Sequence, residues 1–224
     1  MEIKTIDSKK IEEYRKDDLH YVGQTTPFGK QLVLHQSQGT KVWDANGKEY
    51  LDFISGIAVN NVGHTNPEVV DAIIEQAKQM LHVNVFGKSL VPVQVDLAKE
   101  LAKVTPDGLE KIFFTNSGTE AIEGAIKLAR RVTGKHKIVA FEGAFHGRTC
   151  GSLSISYREV YRKPFEPLLP GVTFVHFNDL KAAEQAITPG TDPLSHEAHS
   201  SARSLQESSL VAAPRRCAKL PSSR

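Results

Sequence analysis

Apolar positions change their period several times along the chain, and each change marks an element. Residues 1–20 are mostly charged and predict a short surface helix. Residues 31–35, 41–44 and 49–53 mix apolar and polar side chains as half-buried strands do. The last two flank Asp44-Ala45-Asn46-Gly47, where Asn-Gly tolerates positive φ and predicts a hairpin. From Asn66 the spacing turns helical. Asn66 suits the N-cap, Pro67 the first turn and Glu68 the helix dipole, and Val70, Ile73, Ile74, Ala77 and Leu81 follow on one face. A second amphipathic stretch carries Val93, Leu97, Leu101 and Val104 and stops at Thr105-Pro106. Residues 111–115 read as a buried strand. Residues 119–131 read as a third helix, with Ile122, Ala125, Ile126 and Ala129 inward and Gly134 just past its end. Residues 137–141 and 172–177 predict two more strands, and Asn178 is placed to cap a last helix to about Ile187. Strands alternating with helices argue for an α/β fold with a largely parallel sheet, flanking helices and a small N-terminal β unit.

Composition changes this picture at one place. All the aromatic residues precede position 178, and residues 190–224 contain no Phe, Tyr, Trp or Ile. Residues 189–224 therefore read as an irregular, disordered tail, because so little apolar surface cannot offset the entropy of ordering. The formal charge of +2 is too small to suggest a nucleic-acid or membrane-surface partner. No apolar run approaches the ~18 residues of a spanning helix, and Met1-Glu2-Ile3-Lys4 leads into no signal-like apolar stretch. Cys150 and Cys217 cannot build a disulfide framework, which fits reduced thiols and a cytoplasmic location. No histidine spacing suits a metal; His196 and His199 fall in the tail.

Two turns carry candidate chemistry. Phe114-Thr115-Asn116-Ser117-Gly118-Thr119-Glu120 joins a strand to a helix, at the strand end where ligands bind in parallel sheets. Gly118 allows close approach, and first-turn amides with the Ser117 and Thr119 hydroxyls make a phosphate-sized anion site. Alone, this turn reads as an ordinary N-cap before it reads as an anion site. It lacks the glycine and lysine pattern of a nucleotide loop. Glu142-Gly143-Ala144-Phe145-His146-Gly147-Arg148-Thr149 follows the next strand. Phe145 could stack on a planar ring and Arg148 could grip a carboxylate. Separately, Phe145 suits a core, His146 a backbone hydrogen bond and Arg148 a surface ion pair. Together the two turns favour a shared ligand. His64, in Gly63-His64-Thr65-Asn66-Pro67, reads as a helix-entry hydrogen-bonding residue rather than a catalyst.

These residues resemble the class III pyridoxal-phosphate-dependent aminotransferases, which include the acetylornithine, ornithine and 4-aminobutyrate enzymes. The matching pieces, in the family's order, are residues 42–53 (Val-Trp-Asp-Ala-Asn-Gly-Lys-Glu-Tyr-Leu-Asp-Phe), Gly63-His64, residues 116–121 and residues 145–149. The resemblance implies fold type I: 1–60 as the N-terminal segment of a small domain, 61–188 as the first part of the large cofactor domain. Residues 189–224 would be unrelated to the family. It also implies pyridoxal 5'-phosphate as cofactor, with Ser117, Gly118 and Thr119 at its phosphate, Phe145 on its ring and His146 beside it. Arg148 would hold the substrate carboxylate, and a homodimer would transfer an amino group from an amine or ω-amino acid to a 2-oxo acid. The family's Schiff-base lysine, and the carboxylate that partners the ring nitrogen, are expected farther beyond Phe145 than the 79 residues that follow it. Lys219, the tail's one lysine, matches neither, so the expectation is a truncated, inactive enzyme with no catalytic lysine. The alternative is a non-catalytic binding or partner subunit that keeps the phosphate half-site. A phosphate-ester enzyme ranks last, since no metal cluster or general-base pair accompanies the Ser-Gly-Thr turn.

Overall fold

The computed structural model describes residues 2–25, 32–85 and 87–188 and the backbone of 210–213. The chain divides into two compact units, Met1–Asn84 and Val85–Arg224.

In the first unit, helix α1 (Ser8–Tyr21) starts at Asp7, whose carboxylate accepts from the Lys9 amide, and buries Ile11. Strands β1 (Leu34–Gln38), β2 (Lys41–Asp44) and β3 (Glu49–Leu51) form an antiparallel sheet in that order. Trp43 pairs with Gln36 on one side and Glu49 on the other. The turn into β3 is held by Asp44. Its carboxylate accepts from the Asn46 and Lys48 amides at 2.9 and 3.0 Å and from the Tyr50 hydroxyl at 3.0 Å. Only Gly47 takes positive φ there, so Asn46 is not used in the left-handed region that the Asn-Gly pair made available.

A one-turn segment, α2 (Ser55–Ala58), precedes helix α3 (Pro67–Gln79), where Asn66 Oδ1 caps the Glu68 and Val69 amides as expected. His64 forms a backbone bridge with Gly39, and its Nε2 lies 2.7 Å from Asp52 Oδ2. Thr65 Oγ1 donates to Ser37 O. These bonds fasten residues 61–66 to the hairpin sheet. The compact unit runs on to Asn84.

In the second unit, helix α4 (Pro92–Val104) is followed by β4 (Lys111–Phe114), α5 (Gly118–Thr133) and β5 (Ile138–Phe141). The β5-to-β6 crossover then carries the short helix α6 (Cys150–Ser154), α7 (Glu159–Arg162) and a 3-10 turn (Lys163–Phe165). Strand β6 (Val172–Val175) and helix α8 (Leu180–Ala186) complete this stretch. Strands β5 and β6 pair in parallel, Ile138 beside Val172. All four β5 residues are buried, and their alternation serves two faces. Ile138 and Ala140 pack with Ile122 and Ile126 of α5 and with Ile155. Val139 and Phe141 pack with Val175 and, beyond it, Ala182, Ala183 and Ala186 of α8. A parallel pair covered on both sides is the α/β arrangement expected.

Three local expectations are corrected. The β4 residues are not buried: Phe113 is 56% exposed. The cap of α8 is Asp179, whose carboxylate accepts from the Ala182 amide, while Asn178 sits at φ 66 just before it. The tail is not irregular throughout. Strand β7 (Leu210–Ala213) pairs antiparallel with β4, Lys111 beside Ala213, and gives β4 a ladder partner. Leu-Val-Ala-Ala is the longest apolar run of the tail, and a free strand edge is a template for such a run.

Candidate active site

The two motif turns follow β4 and β5 of the second unit and touch each other. Ser117 has extended backbone and caps α5, its Oγ accepting from the Glu120 amide at 3.3 Å. Glu120 answers from the first turn by accepting the Asn116 amide at 2.7 Å. This reciprocal pair leaves the Gly118 and Thr119 amides with no acceptor among the described residues, at the positive end of a 16-residue helix. Glycine at 118 brings no side chain of its own to that turn.

The second turn leaves β5 at Glu142, whose amide donates to Val175 O. Phe145 is 45% exposed and meets Tyr161 edge to face at 6.3 Å between ring centres, which leaves ring surface open to a ligand. The His146 amide donates to Ser156 Oγ at 2.9 Å, and Ser156 is fully buried. Burial of the His146 ring pushes its pKa below the ordinary value of 6.5, which favours the neutral imidazole. Arg148 is exposed and makes no hydrogen bond or ion pair among the described residues.

The turns meet through hydroxyls. Thr119 Oγ1 lies 2.9 Å from Thr149 Oγ1 and 2.5 Å from Ser152 Oγ, and the Thr149 amide donates to it at 3.4 Å. Gly147 rests against the same threonine. A Cβ there would stand 2.2 Å from Thr119 Oγ1 and 2.5 Å from Thr119 Cβ. All six residues expected at the site, Ser117, Gly118, Thr119, Phe145, His146 and Arg148, thus fall on two turns in contact.

Sequence reasoning passed over the groups that join them, Thr149, Ser152 and Glu123, and Ser156, which holds the His146 amide. Glu123 stands four residues after Thr119, a spacing that puts both on one helix face, and this was the available signal. Among the described residues, no cluster of His, Cys, Asp and Glu could hold a metal ion, and Cys150 is an exposed free thiol. Cys217, His196, His199 and Lys219 lie outside the described residues. No helix among the described residues is long and apolar enough to cross a membrane.

A family model for class-III aminotransferases matches residues 24–212. Acetylornithine aminotransferase of Methanosarcina acetivorans is 48% identical over 176 residues, covering 78% of this chain and 43% of that protein. The protein of that name from Methanopyrus kandleri is 46% identical over 161 residues, 71% of this chain and 41% of its own length. Among solved structures, taurine:2-oxoglutarate aminotransferase from Bifidobacterium kashiwanohense, in complex with PLP and glutamate, superposes with a TM-score of 0.69. It is 32% identical, and the match covers 79% of this chain and 40% of that one. The chain therefore spans less than half the length of the relatives it matches.

Proposed function

The chain belongs to the class III aminotransferases, and from that premise we propose that it contributes the phosphate- and ring-binding part of a pyridoxal-phosphate site for amino-group transfer. The donor we assign is an ω-amino acid of the acetylornithine type, named by the two relatives above, and the acceptor is a 2-oxo acid. The observation that carries this reading is the contact between the two turns through Thr119, Thr149 and Gly147.

The residues present fit the cofactor. Two unpaired amides at a helix N-terminus, with the Ser117 hydroxyl, suit a phosphate dianion. The half-exposed Phe145 ring suits a stacked pyridine, and the neutral His146 ring adds no charge beside it. When bound, pyridoxal phosphate supplies the carbonyl that receives the amino group and a ring that takes up the electrons released. The protein's own contribution is to bind and orient. The α5 turn fixes the phosphate end, Phe145 fixes the ring plane, and the unpaired Arg148 guanidinium grips a substrate carboxylate with paired hydrogen bonds. The Schiff-base lysine and the ring-nitrogen carboxylate are assigned to no residue of this chain. We accordingly propose reversible cofactor binding without amino transfer by these 224 residues alone. A homodimer, as the family resemblance implies, is part of the same proposal.

Absorbance titration of the full chain with pyridoxal phosphate tests this reading. The expected result is saturable binding that dialysis reverses and borohydride does not fix. Phe145→Ala and Ser117→Ala should each weaken it about tenfold, equivalent to roughly 1.4 kcal/mol. Absence of saturable binding overturns the reading, and turnover of acetylornithine by the chain alone overturns its non-catalytic part.

A further inference from the structure

Glu123 lies outside the two motif turns, yet its carboxylate is where their connections converge. Oε1 accepts three hydrogen bonds: from Thr149 Oγ1 at 2.5 Å, from the Gly151 amide at 2.8 Å and from the Ser152 amide at 3.1 Å. The last two are first-turn amides of α6, which no side chain of its own cap residue, Thr149, satisfies. A carboxylate projecting from α5 thus caps a helix whose bonded amides lie 28 and 29 residues later in the chain.

The contact is built for this residue. A Cβ at Gly151 would stand 2.3 Å from Glu123 Oε2, so glycine is what lets the carboxylate reach the α6 amides. The α6 segment it holds is buried from Gly151 to Ser154. The carboxylate also orders the hydroxyls. Because Thr149 spends its proton on Glu123, its oxygen is left as an acceptor toward Thr119, 2.9 Å away. Thr119 in turn stands between Thr149 and Ser152. Glu123 therefore ties the α5 turn to the Thr149 end of the second turn and leaves Thr149 Oγ1 as an acceptor within reach of Thr119.

We propose that Glu123 is a positioning residue that latches the Phe145–Thr149 turn onto the N-terminal turn of α5, so that the phosphate-binding and ring-binding groups form one rigid site. The site this latch serves rests on the function proposed above; the latch itself does not. Two kinds of measurement separate the two claims.

The first is amide hydrogen exchange in the ligand-free full chain. Glu123→Ala should speed exchange at Gly151 and Ser152 at least tenfold, whereas Glu123→Gln keeps an acceptor oxygen and should stay within about threefold of the parent. The second is pyridoxal phosphate affinity, where Glu123→Ala should lose about tenfold and Glu123→Gln should restore most of it. Thr149→Val, which removes one donor and leaves both amides bonded, should weaken cofactor affinity without releasing Gly151 or Ser152. Unchanged exchange at both amides in Glu123→Ala overturns the latch. So does equal loss of affinity in the Ala and Gln variants, which would mean that charge rather than geometry matters. If the parent chain binds no pyridoxal phosphate, the functional reading fails and exchange alone decides: released amides support the latch, protected amides overturn it.

Discussion

Gly147 sits at φ 130, where a side chain is strained, and its missing Cβ is the space that Thr119 fills. Gly147→Ala should therefore push the two turns apart. The expected cost is about 1–3 kcal/mol in a denaturant melt, with a parallel fall in pyridoxal phosphate affinity. His146 gives a pH-dependent signature. Burial lowers its pKa in the folded state, so as pH falls below about 6.5 the unfolded chain takes up the proton first. Stability from this group is complete above that value and declines as pH falls toward the folded pKa. Denaturant midpoints at pH 7.5 and 5.5 should diverge more in the parent than in His146→Gln; equal divergence would refute the assignment. Asp52 acts lower on the scale. The hydrogen bond from His64 and those from the Ser55 and Ile54 amides hold its carboxyl below 3.8. Its contribution is thus present above that value and lost as the pH falls through the folded pKa, and acid unfolding of Asp52→Asn should lack this component.

Elements whose ends are written in neighbouring residues were legible. The Asn66-Pro67 start of α3, the Thr105-Pro106 stop of α4 and Gly134 after α5 all sit where local chemistry places them. Asn66→Ala removes two capped amides and should cost about 0.5–2 kcal/mol, read as a lower melting temperature of the chain. Elements that depend on distant partners were not legible. Helix α6 has only five residues, too few for a periodic pattern, and its cap comes from Glu123 on another helix. Strand β7 exists through its pairing with β4. Val211→Pro removes an amide from that strand opposite Phe113 and should raise hydrogen exchange along β4 while leaving β5 protected.

At the scale of the whole molecule, many large apolar side chains meet solvent: Phe53 is 91% exposed, Leu81 86% and Val104 79%. Helix α4 illustrates the point. Its Val93, Leu97 and Val104 follow the helical spacing of a core face, yet each is at least half exposed. Apolar surface of this kind drives association, so the isolated chain should bind an apolar dye and sediment as dimers or larger species. A dye-silent monomer would contradict this. The pattern of side chains dictated the longer helices and the strands from β1 to β6, which faces are apolar and which two turns could carry a ligand, because period, capping and turn chemistry act over a few residues. Only folding could decide that Glu123 caps α6, that Gly147 lies against Thr119, that burial of His146 favours its neutral form and that β7 sits beside β4. Each of these joins residues far apart in the chain, where hydrogen bonding and burial depend on packing and leave no local period to read.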